Sequence, residues 1–188
     1  PSAKTFPGEP AENPVNALYK EGIYVGYRYY ETFNVPVTYE FGYGLSYTQF
    51  TYSDISIDSQ TLKDEAVISF NVKNTGKYSG KEVAQVYVSA PQTEIQKPQE
   101  ELRAFYKTKL LKPGESEKVT IKLQKRDFTS FWQSLSGWVI EKGTYDIKVG
   151  ASSKDIRLKT SVEVPENKIV EKVSDVLYPN IKLDELKR

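Results

Sequence analysis

The chain has 188 residues, 27% of them charged, and its 26 basic and 25 acidic side chains leave a formal net charge of +1. A charge this balanced makes no field that would gather nucleic acid or an anionic membrane. The chain contains no cysteine and no histidine, which excludes disulfides, thiolate nucleophiles, serine–histidine–aspartate catalysis and zinc sites built on imidazole.

The first 49 residues, called the strap below, show no sustained hydrophobic period. Four prolines lie at positions 1, 7, 10 and 14, and a dense set of rings follows them. These rings are Tyr19, Tyr24, Tyr27, Tyr29, Tyr30 and Phe33. A disordered tail seldom carries so many aromatic residues. We therefore predict that the strap runs extended over a surface, with its rings packed against that surface.

Residues 39–53 combine glycines and aromatic residues at high density. Gly42 and Gly44 permit backbone conformations that other residues avoid, and they let large rings pack against bare backbone. Local physics therefore predicts a glycine-rich turn that leads into a strand beginning near Phe50.

That first strand contains an irregularity in its alternation. Phe50 and Tyr52 share one parity, whereas Ile55 and Ile57 take the other. A one-residue bulge near residues 53–54 would bring both pairs to the core face. The alternative is that Phe50 and Tyr52 pack against the strap.

Residues 50–164 alternate between apolar and polar side chains in several short runs, which is typical of strands with one buried face. Turn residues separate the runs, as in the Asn-Thr-Gly of residues 74–76 and the Lys-Pro-Gly of residues 112–114. About seven strands at this spacing predict an all-β, immunoglobulin-like antiparallel sandwich. Its core should contain Phe70, Val86, Ile121, Tyr145 and Ile147.

Three further segments allow more than one interpretation. Residues 90–98 form a long loop, which is either a solvent-exposed connector or a contact to a neighbouring domain or active-site rim. Trp132 and Trp138 flank a turn and either stack on sugars or close one end of the sandwich, with Asp127 capping a helical turn. In residues 165–188, Ile169, Val173 and Leu177 are spaced as in a short amphipathic helix that ends before Pro179.

Two stretches and six shorter motifs resemble one family of enzymes. The stretches are residues 20–30, Lys-Glu-Gly-Ile-Tyr-Val-Gly-Tyr-Arg-Tyr-Tyr, and residues 41–48, Phe-Gly-Tyr-Gly-Leu-Ser-Tyr-Thr. The motifs are residues 72–76, 80–83, 85–88, 113–115, 126–127 and 150–153. In this order and at this spacing they resemble glycoside hydrolase family 3, in the C-terminal segment that includes its fibronectin type III-like domain.

This resemblance implies that the catalytic machinery lies elsewhere. The family's nucleophile is an aspartate followed by tryptophan in an earlier barrel domain, whereas Asp54 and Asp175 are followed by Ile55 and Val176. The family's Lys-His substrate-binding pair cannot exist without histidine. We therefore expect no catalytic residue, no cofactor-binding residue and no metal ligand in this chain, and no cofactor.

The resemblance also predicts the organisation and role of the chain. Residues 1–49 would link a preceding α/β sandwich domain to a fibronectin type III-like domain at residues 50–164, and residues 165–188 would form a C-terminal extension. Residues 1–7 resemble the end of that preceding domain, and the absence of methionine also predicts a fragment. The full-length parent protein would be a β-glucosidase, and the chain would be part of an enzyme only in that sense.

The predicted role is an accessory one in an exo-acting, retaining β-glycosidase, whose barrel and α/β sandwich domains would be its partners. The strap would lie against those domains, with Arg28 paired there. The β-glycoside would be the parent's substrate, and a homo-oligomer is left open. The alternative is an autonomous carbohydrate-binding or adhesion module. No apolar run reaches the ~18 residues of a membrane span and no signal peptide is visible, so a soluble chain is expected.

Overall fold

The computed structural model describes residues 20–174, 176 and 184–188. These residues form one α-helix, α1 (Tyr27–Thr32), and ten strands. The strands are β1 (Phe50–Ile57), β2 (Glu65–Asn74), β3 (Val83–Ser89), β4 (Glu101–Lys107), β5 (Ser116–Gln124), β6 (Ser130–Trp132), β7 (Gly137–Ile140), β8 (Gly143–Gly150), β9 (Ile156–Val164) and β10 (Lys168–Lys172). Residues 1–7, which resemble the end of a preceding domain, lie outside the described part.

Seven of the strands form an antiparallel sandwich, as the sequence predicts. One sheet has the order β1-β2-β5 and the other the order β4-β3-β8-β9. Strands β6, β7 and β10 form a third, smaller sheet in the order β10-β7-β6. The all-β, fibronectin type III-like fold is thus confirmed. No helix in the described ranges is long and apolar enough to cross a membrane.

The core lies between the two large sheets and is built from alternate residues of their strands. In β2 and β5 one parity is buried and the other faces solvent. Each of the five predicted core residues is buried there: Phe70, Val86, Ile121, Tyr145 and Ile147. The parity analysis is confirmed at these positions.

The irregularity in β1 is a bulge, as predicted. The pairing of β1 with β2 shifts register between Ser53 and Ser56, and Asp54 has a φ of 57°. The Asp54 carboxylate accepts hydrogen bonds from the Ser53 hydroxyl at 2.7 Å and the Asn71 amide at 2.8 Å. The apolar residues on both sides of the bulge, Phe50, Tyr52, Ile55 and Ile57, pack against the core.

The C-terminal helix predicted from Ile169 and Val173 is wrong where the structure describes it. Lys168–Lys172 is strand β10, and Lys168 and Ile169 pair with Ile140 and Val139 of β7. All five side chains of β10 are exposed, so no apolar face is buried as a helix would require. Leu177 and Pro179 lie outside the described residues.

The corner between β5 and β6 contains the expected helical turn. It is a 3-10 helix at Lys125–Phe128, and the Asp127 carboxylate accepts the backbone N–H of Gln124 at 2.7 Å. This hydrogen bond satisfies the backbone N–H of Gln124, which has no partner within the helical turn. Phe128 is buried with its ring at 5.7 Å from that of Tyr145, so an aromatic ring of this corner closes this end of the core.

Candidate functional site

Residues 20–49, the part of the strap that the structure describes, cover the outer face of the four-stranded sheet. Strand β3 turns Ala84, Val86 and Val88 toward the core, and it turns Gln85 and Tyr87 the other way. Both outward side chains are nevertheless buried, with 6% and 0% of their surface exposed. The sheet is therefore covered on both faces, because the strap forms a further layer upon it.

The strap is not extended throughout, which corrects the prediction made from its prolines and rings. Tyr27–Thr32 forms helix α1, preceded by Gly26 with a φ of 60°. The helix is held by tertiary contacts. The Tyr27 hydroxyl accepts the N–H of Leu102 at 2.7 Å, and its ring stacks on Phe41 at 4.5 Å and meets Tyr87 edge-on at 6.1 Å. Burial raises the pKa of Tyr27, so this hydroxyl stays neutral.

Gln85 ties the glycine turn of the strap to the sheet. Its side-chain amide donates to the carbonyls of Gly42 at 3.2 Å and Ala151 at 2.6 Å, while its oxygen accepts the Tyr87 hydroxyl at 2.6 Å. Gly42 has a φ of 82°, and a Cβ atom there would lie 2.1 Å from the Gln85 side-chain oxygen. The close approach of strap and sheet therefore requires glycine at this position.

The Gly-Ala-Ser-Ser motif at residues 150–153 fastens the same turn and helix α1. The Ser152 hydroxyl donates to Glu40 and the Ser153 hydroxyl donates to Glu31, both at 2.9 Å. The backbone N–H of Ser153 also donates to the carbonyl of Phe41 at 2.9 Å. The end of β8 thus binds two separate parts of the strap.

Asn74, from the Asn-Thr-Gly motif, fixes the end of the strap. Its buried side-chain oxygen accepts the Thr48 hydroxyl at 2.7 Å and the N–H of Gly76 at 3.0 Å. Its amide donates to the carbonyls of Tyr78 at 2.7 Å and Leu111 at 2.8 Å. One side chain thereby joins the strap, the turn after β2 and the segment before β5.

Arg28 pairs within the chain, which corrects the prediction of a partner on another domain. Its guanidinium lies 3.2 Å from Glu101 at the start of β4, and Arg103 lies 2.6 Å from the other oxygen of Glu101. The prediction failed because the sequence gives no sign that α1 lies beside this strand end.

A second charged pair joins the residue just before β4 to the outer face of β8. Glu100 and Lys148 are 2.8 Å apart, and their side chains are only 4% and 14% exposed. Burial raises the pKa of Glu100, and the hydrogen bond and charge of Lys148 oppose that effect. Lys148 shares the strap-covered side of the sheet, because its neighbours Ile147 and Val149 face the core.

The strap also exposes a set of apolar residues to solvent. Their exposed fractions run from 43% at Ile23 to 96% at Tyr47. The set comprises Ile23, Val25, Tyr39, Phe41, Tyr43, Leu45 and Tyr47. Large exposed apolar patches mark interaction surfaces. We call this set the outer strap face; it and the hydrogen-bonded inner side make the strap two-sided.

The loop at residues 90–98 is anchored, so the solvent-exposed connector is the wrong interpretation for its end. Lys97 is 2% exposed, forms an ion pair with buried Glu141, and donates to the carbonyls of Pro91 at 2.7 Å and Ile95 at 3.1 Å. A charge removed from water needs such partners. The loop is held against the turn between β7 and β8.

The tryptophan corner borders a cleft of about 740 Å³. Trp138 and Phe131 line it, together with Arg28, Glu101 and Arg103, whereas Trp132 does not. Phe131 meets the Trp138 ring edge-on at 5.5 Å, and the Arg126 guanidinium lies 5.7 Å from the ring centre. These neighbours restrict stacking on Trp138, and sugar binding here stays a hypothesis.

Asp54, one of the two aspartates compared above with the family's nucleophile, has a structural role. Asp54 lies in the β1 bulge, fully exposed, and its hydrogen bonds from Ser53 and Asn71 lower its pKa. Within the described residues, no three acidic side chains lie close enough together to hold a metal ion. Asp175 lies outside them. The anchoring roles of Gln85, Ser152 and Asn74 could not be predicted from the motifs that contain them, because their partners are distant in the sequence.

Comparison with known proteins identifies this arrangement. Residues 82–153 match the model of the fibronectin type III-like domain. The chain is 50% identical to β-glucosidase 3B from Thermotoga neapolitana, with a TM-score of 0.81 over 88% of this chain and 22% of that one. The family 3 β-glucosidase of Bifidobacterium adolescentis gives 36% identity and a TM-score of 0.78, over 87% of this chain and 23% of that one.

The chain corresponds to the C-terminal, fibronectin type III-like segment of the family 3 glycoside hydrolases. Curated relatives agree with this. Thermostable β-glucosidase B of Acetivibrio thermocellus is 45% identical over 87% of this chain and 21% of its own length. The exo-α-(1→6)-L-arabinopyranosidase of Bifidobacterium breve is 40% identical over 83% of this chain and 20% of its own length. The chain thus spans about a fifth of these family 3 relatives, so their other domains have no counterpart in it.

Proposed function

We propose that this chain is the accessory, non-catalytic part of a larger β-glycosidase, and that it scaffolds the catalytic domains. The observation that carries the proposal is the two-sided strap. Gln85, Ser152 and Ser153 hold its inner side on the sandwich, and its outer face exposes apolar residues up to Tyr47 at 96%. A surface of this kind is costly in water unless another surface covers it.

The covering surface is proposed to be the barrel and α/β sandwich domains of the same enzyme. The family 3 relatives are about five times as long as the segment they share with this chain, so they supply further domains. In this scheme residues 1–49 connect the domains, residues 50–164 form the sandwich and residues 165–188 extend it. The outer strap face is then an internal contact of the enzyme.

The proposed reaction is retaining hydrolysis of terminal β-D-glucosyl residues, carried out entirely by those other domains. Such hydrolysis needs two carboxyl groups about 5–5.5 Å apart across the scissile bond. We assign no catalytic, cofactor-binding or metal-binding residue to this chain. Because one relative is named for an arabinopyranoside, sugar selection is also assigned to the missing domains, and we leave a homo-oligomer open.

The alternative, an autonomous carbohydrate-binding or adhesion module, has one observation in its favour. The inner side of the strap packs on its own sandwich, with Arg28 paired to Glu101, so those contacts need no second domain. The outer strap face weighs against it, because a free module would expose Leu45 at 89% without a partner. The names of the relatives also support the accessory role over this alternative.

The proposal is tested in the full-length enzyme by Leu45→Ser and Tyr47→Ser. Neither side chain packs on the sandwich, so each change alters the contact to the other domains and leaves this domain intact. We expect a shorter half-life of β-glucosidase activity on heating, with kcat and KM at low temperature unchanged. The matched control is Val170→Ser on β10, also exposed, which should leave the half-life as it was.

An unchanged half-life in both strap variants would contradict the scaffold role. A loss of kcat without loss of heat stability would also contradict it, since the outer strap face would then act on the reaction itself.

A further inference from the structure

The exposed apolar surface does not end with the strap. On the outer face of the four-stranded sheet, Phe105 of β4 is 69% exposed and Val83 of β3 is 38% exposed. Phe105 pairs with Gln85, and Val83 pairs with Lys107 two positions along the same ladder. Because paired residues of antiparallel strands share a face, all four side chains lie on the side that the strap covers elsewhere.

The strap covers Gln85 but leaves Phe105, the residue paired with Gln85 on the neighbouring strand, exposed. Its turn sits on Gln85 through the Gly42 carbonyl, and Gln85 is only 6% exposed as a result. Phe41 and Tyr43, on either side of Gly42, are 44% and 47% exposed. The uncovered end of β3 and β4 is therefore continuous with the outer strap face across the Gln85–Phe105 pair.

We infer that the docking surface extends from the strap onto the sandwich itself, with Phe105 and Val83 as part of one continuous contact to the remaining domains of the same polypeptide. This inference rests on the proposed function. It adds that the remaining domains contact the exposed end of β3 and β4 as well as the strap. A different fold that carried the same strap would therefore not replace this sandwich.

The chemistry of the neighbour follows from the rim of this surface. Lys107 and Lys81 are exposed beside the apolar pair, and among the described residues neither forms an ion pair. The matching surface is an apolar pocket for the Phe105 ring with carboxylates at its edge. Such complementary charges favour correct orientation more than affinity.

Hydroxyl-radical footprinting of the full-length enzyme tests this directly, because it reports the solvent exposure of individual rings. The reactivity of each ring is divided by its value in the urea-unfolded protein. Phe131 is the matched control, since it is also phenylalanine and is 41% exposed at the other end of the sandwich. If no other domain covered either ring, Phe105 should react faster than Phe131, because its ring is the more exposed. In the full-length enzyme we expect that order to be reversed.

The rings of the outer strap face separate failure of this inference from failure of the proposed function. Slow reaction of Tyr43 and Tyr47 with fast reaction of Phe105 would overturn the extension and leave the scaffold role standing. Fast reaction of all three would overturn both. Protection of Phe105 that appears only at high enzyme concentration would assign this face to a second copy and would also overturn the inference.

Discussion

Asn74 shows how much a single buried side chain contributes to this domain. It is 0% exposed and its amide group makes four hydrogen bonds, to Thr48, Gly76, Tyr78 and Leu111. Polar groups at this depth are stable only while they are paired. The side chain therefore couples the strap to two turns of the sandwich.

Asn74→Ala should strongly lower the free energy of unfolding, because four hydrogen bonds are lost together, although the Gly76 N–H and the Leu111 carbonyl keep backbone hydrogen bonds to Gln49 and Gly80. The cost is about 1–3 kcal/mol for each group left buried and unsatisfied. The matched control is Asn71→Ala, which removes one exposed hydrogen bond to Asp54. Urea unfolding followed by tryptophan fluorescence measures both. Equal midpoints for the two variants would refute the coupling role of Asn74.

Glu82 makes the stability depend on pH. Burial raises the pKa of its carboxyl group above the ordinary 4.5, against the hydrogen bond from Tyr52 and the charge of Arg157, while Asp155 raises it further. The folded state then binds the proton more tightly than the unfolded state does. The contribution of protonated Glu82 to the free energy of unfolding is complete below pH 4.5, and it is lost as the pH rises through the folded-state pKa.

Glu82→Gln should remove this loss, because an amide can still accept the Tyr52 hydroxyl now at 2.9 Å and carries no charge to bury. The free energy of unfolding of the wild type, minus that of the variant, is expected to fall as the pH rises from 4.5. Urea titrations at a series of pH values measure this difference. A difference that increased with pH would mean that the charged form is the one stabilised.

At the scale of elements, period-2 alternation predicted the strands that have one face in the core and one in solvent. Strand β5 follows this rule throughout. The C-terminal helix failed because a spacing of four residues fits both a helix and one face of a strand, so Ile169 and Val173 could not distinguish the two.

The anchoring contacts of the strap could not be predicted, since they join distant residues. Glu31 and Ser153 are separated by 122 positions and Glu40 and Ser152 by 112. Helix α1 was missed for a related reason. It has six residues and no side-chain cap, so it depends on packing against the sheet and shows no local start signal.

The contact between strap and sheet is tested by Gly42→Ala. The added methyl group would meet the Gln85 amide, and a φ of 82° disfavours any residue with a Cβ by about 1–2 kcal/mol. We expect lower stability and faster hydrogen exchange across residues 39–45. Gly44→Ala is the matched control, since nothing lies within 4 Å of its Cβ position. If both variants behaved alike, the close approach at Gly42 would not matter to the fold.

At the scale of the whole molecule, the predicted absence of catalytic groups leads to a plain expectation. The 188-residue chain alone should not hydrolyse aryl β-glycosides, since no pair of its carboxyl groups is assigned to the reaction. Assays on nitrophenyl β-glucoside and β-xyloside measure this, with the full-length enzyme as positive control. Turnover that disappeared on changing one of the chain's own Asp or Glu residues would contradict the prediction.

The double coverage of the four-stranded sheet has a consequence for how this domain tolerates change. In β5 buried and less buried residues alternate from Glu117 onward, so about every second position there should accept polar substitutions. In β3 five consecutive residues, Ala84 to Val88, are buried, and no position among them is free to vary. Among related proteins, the sequence of β3 should therefore change more slowly than the sequence of β5.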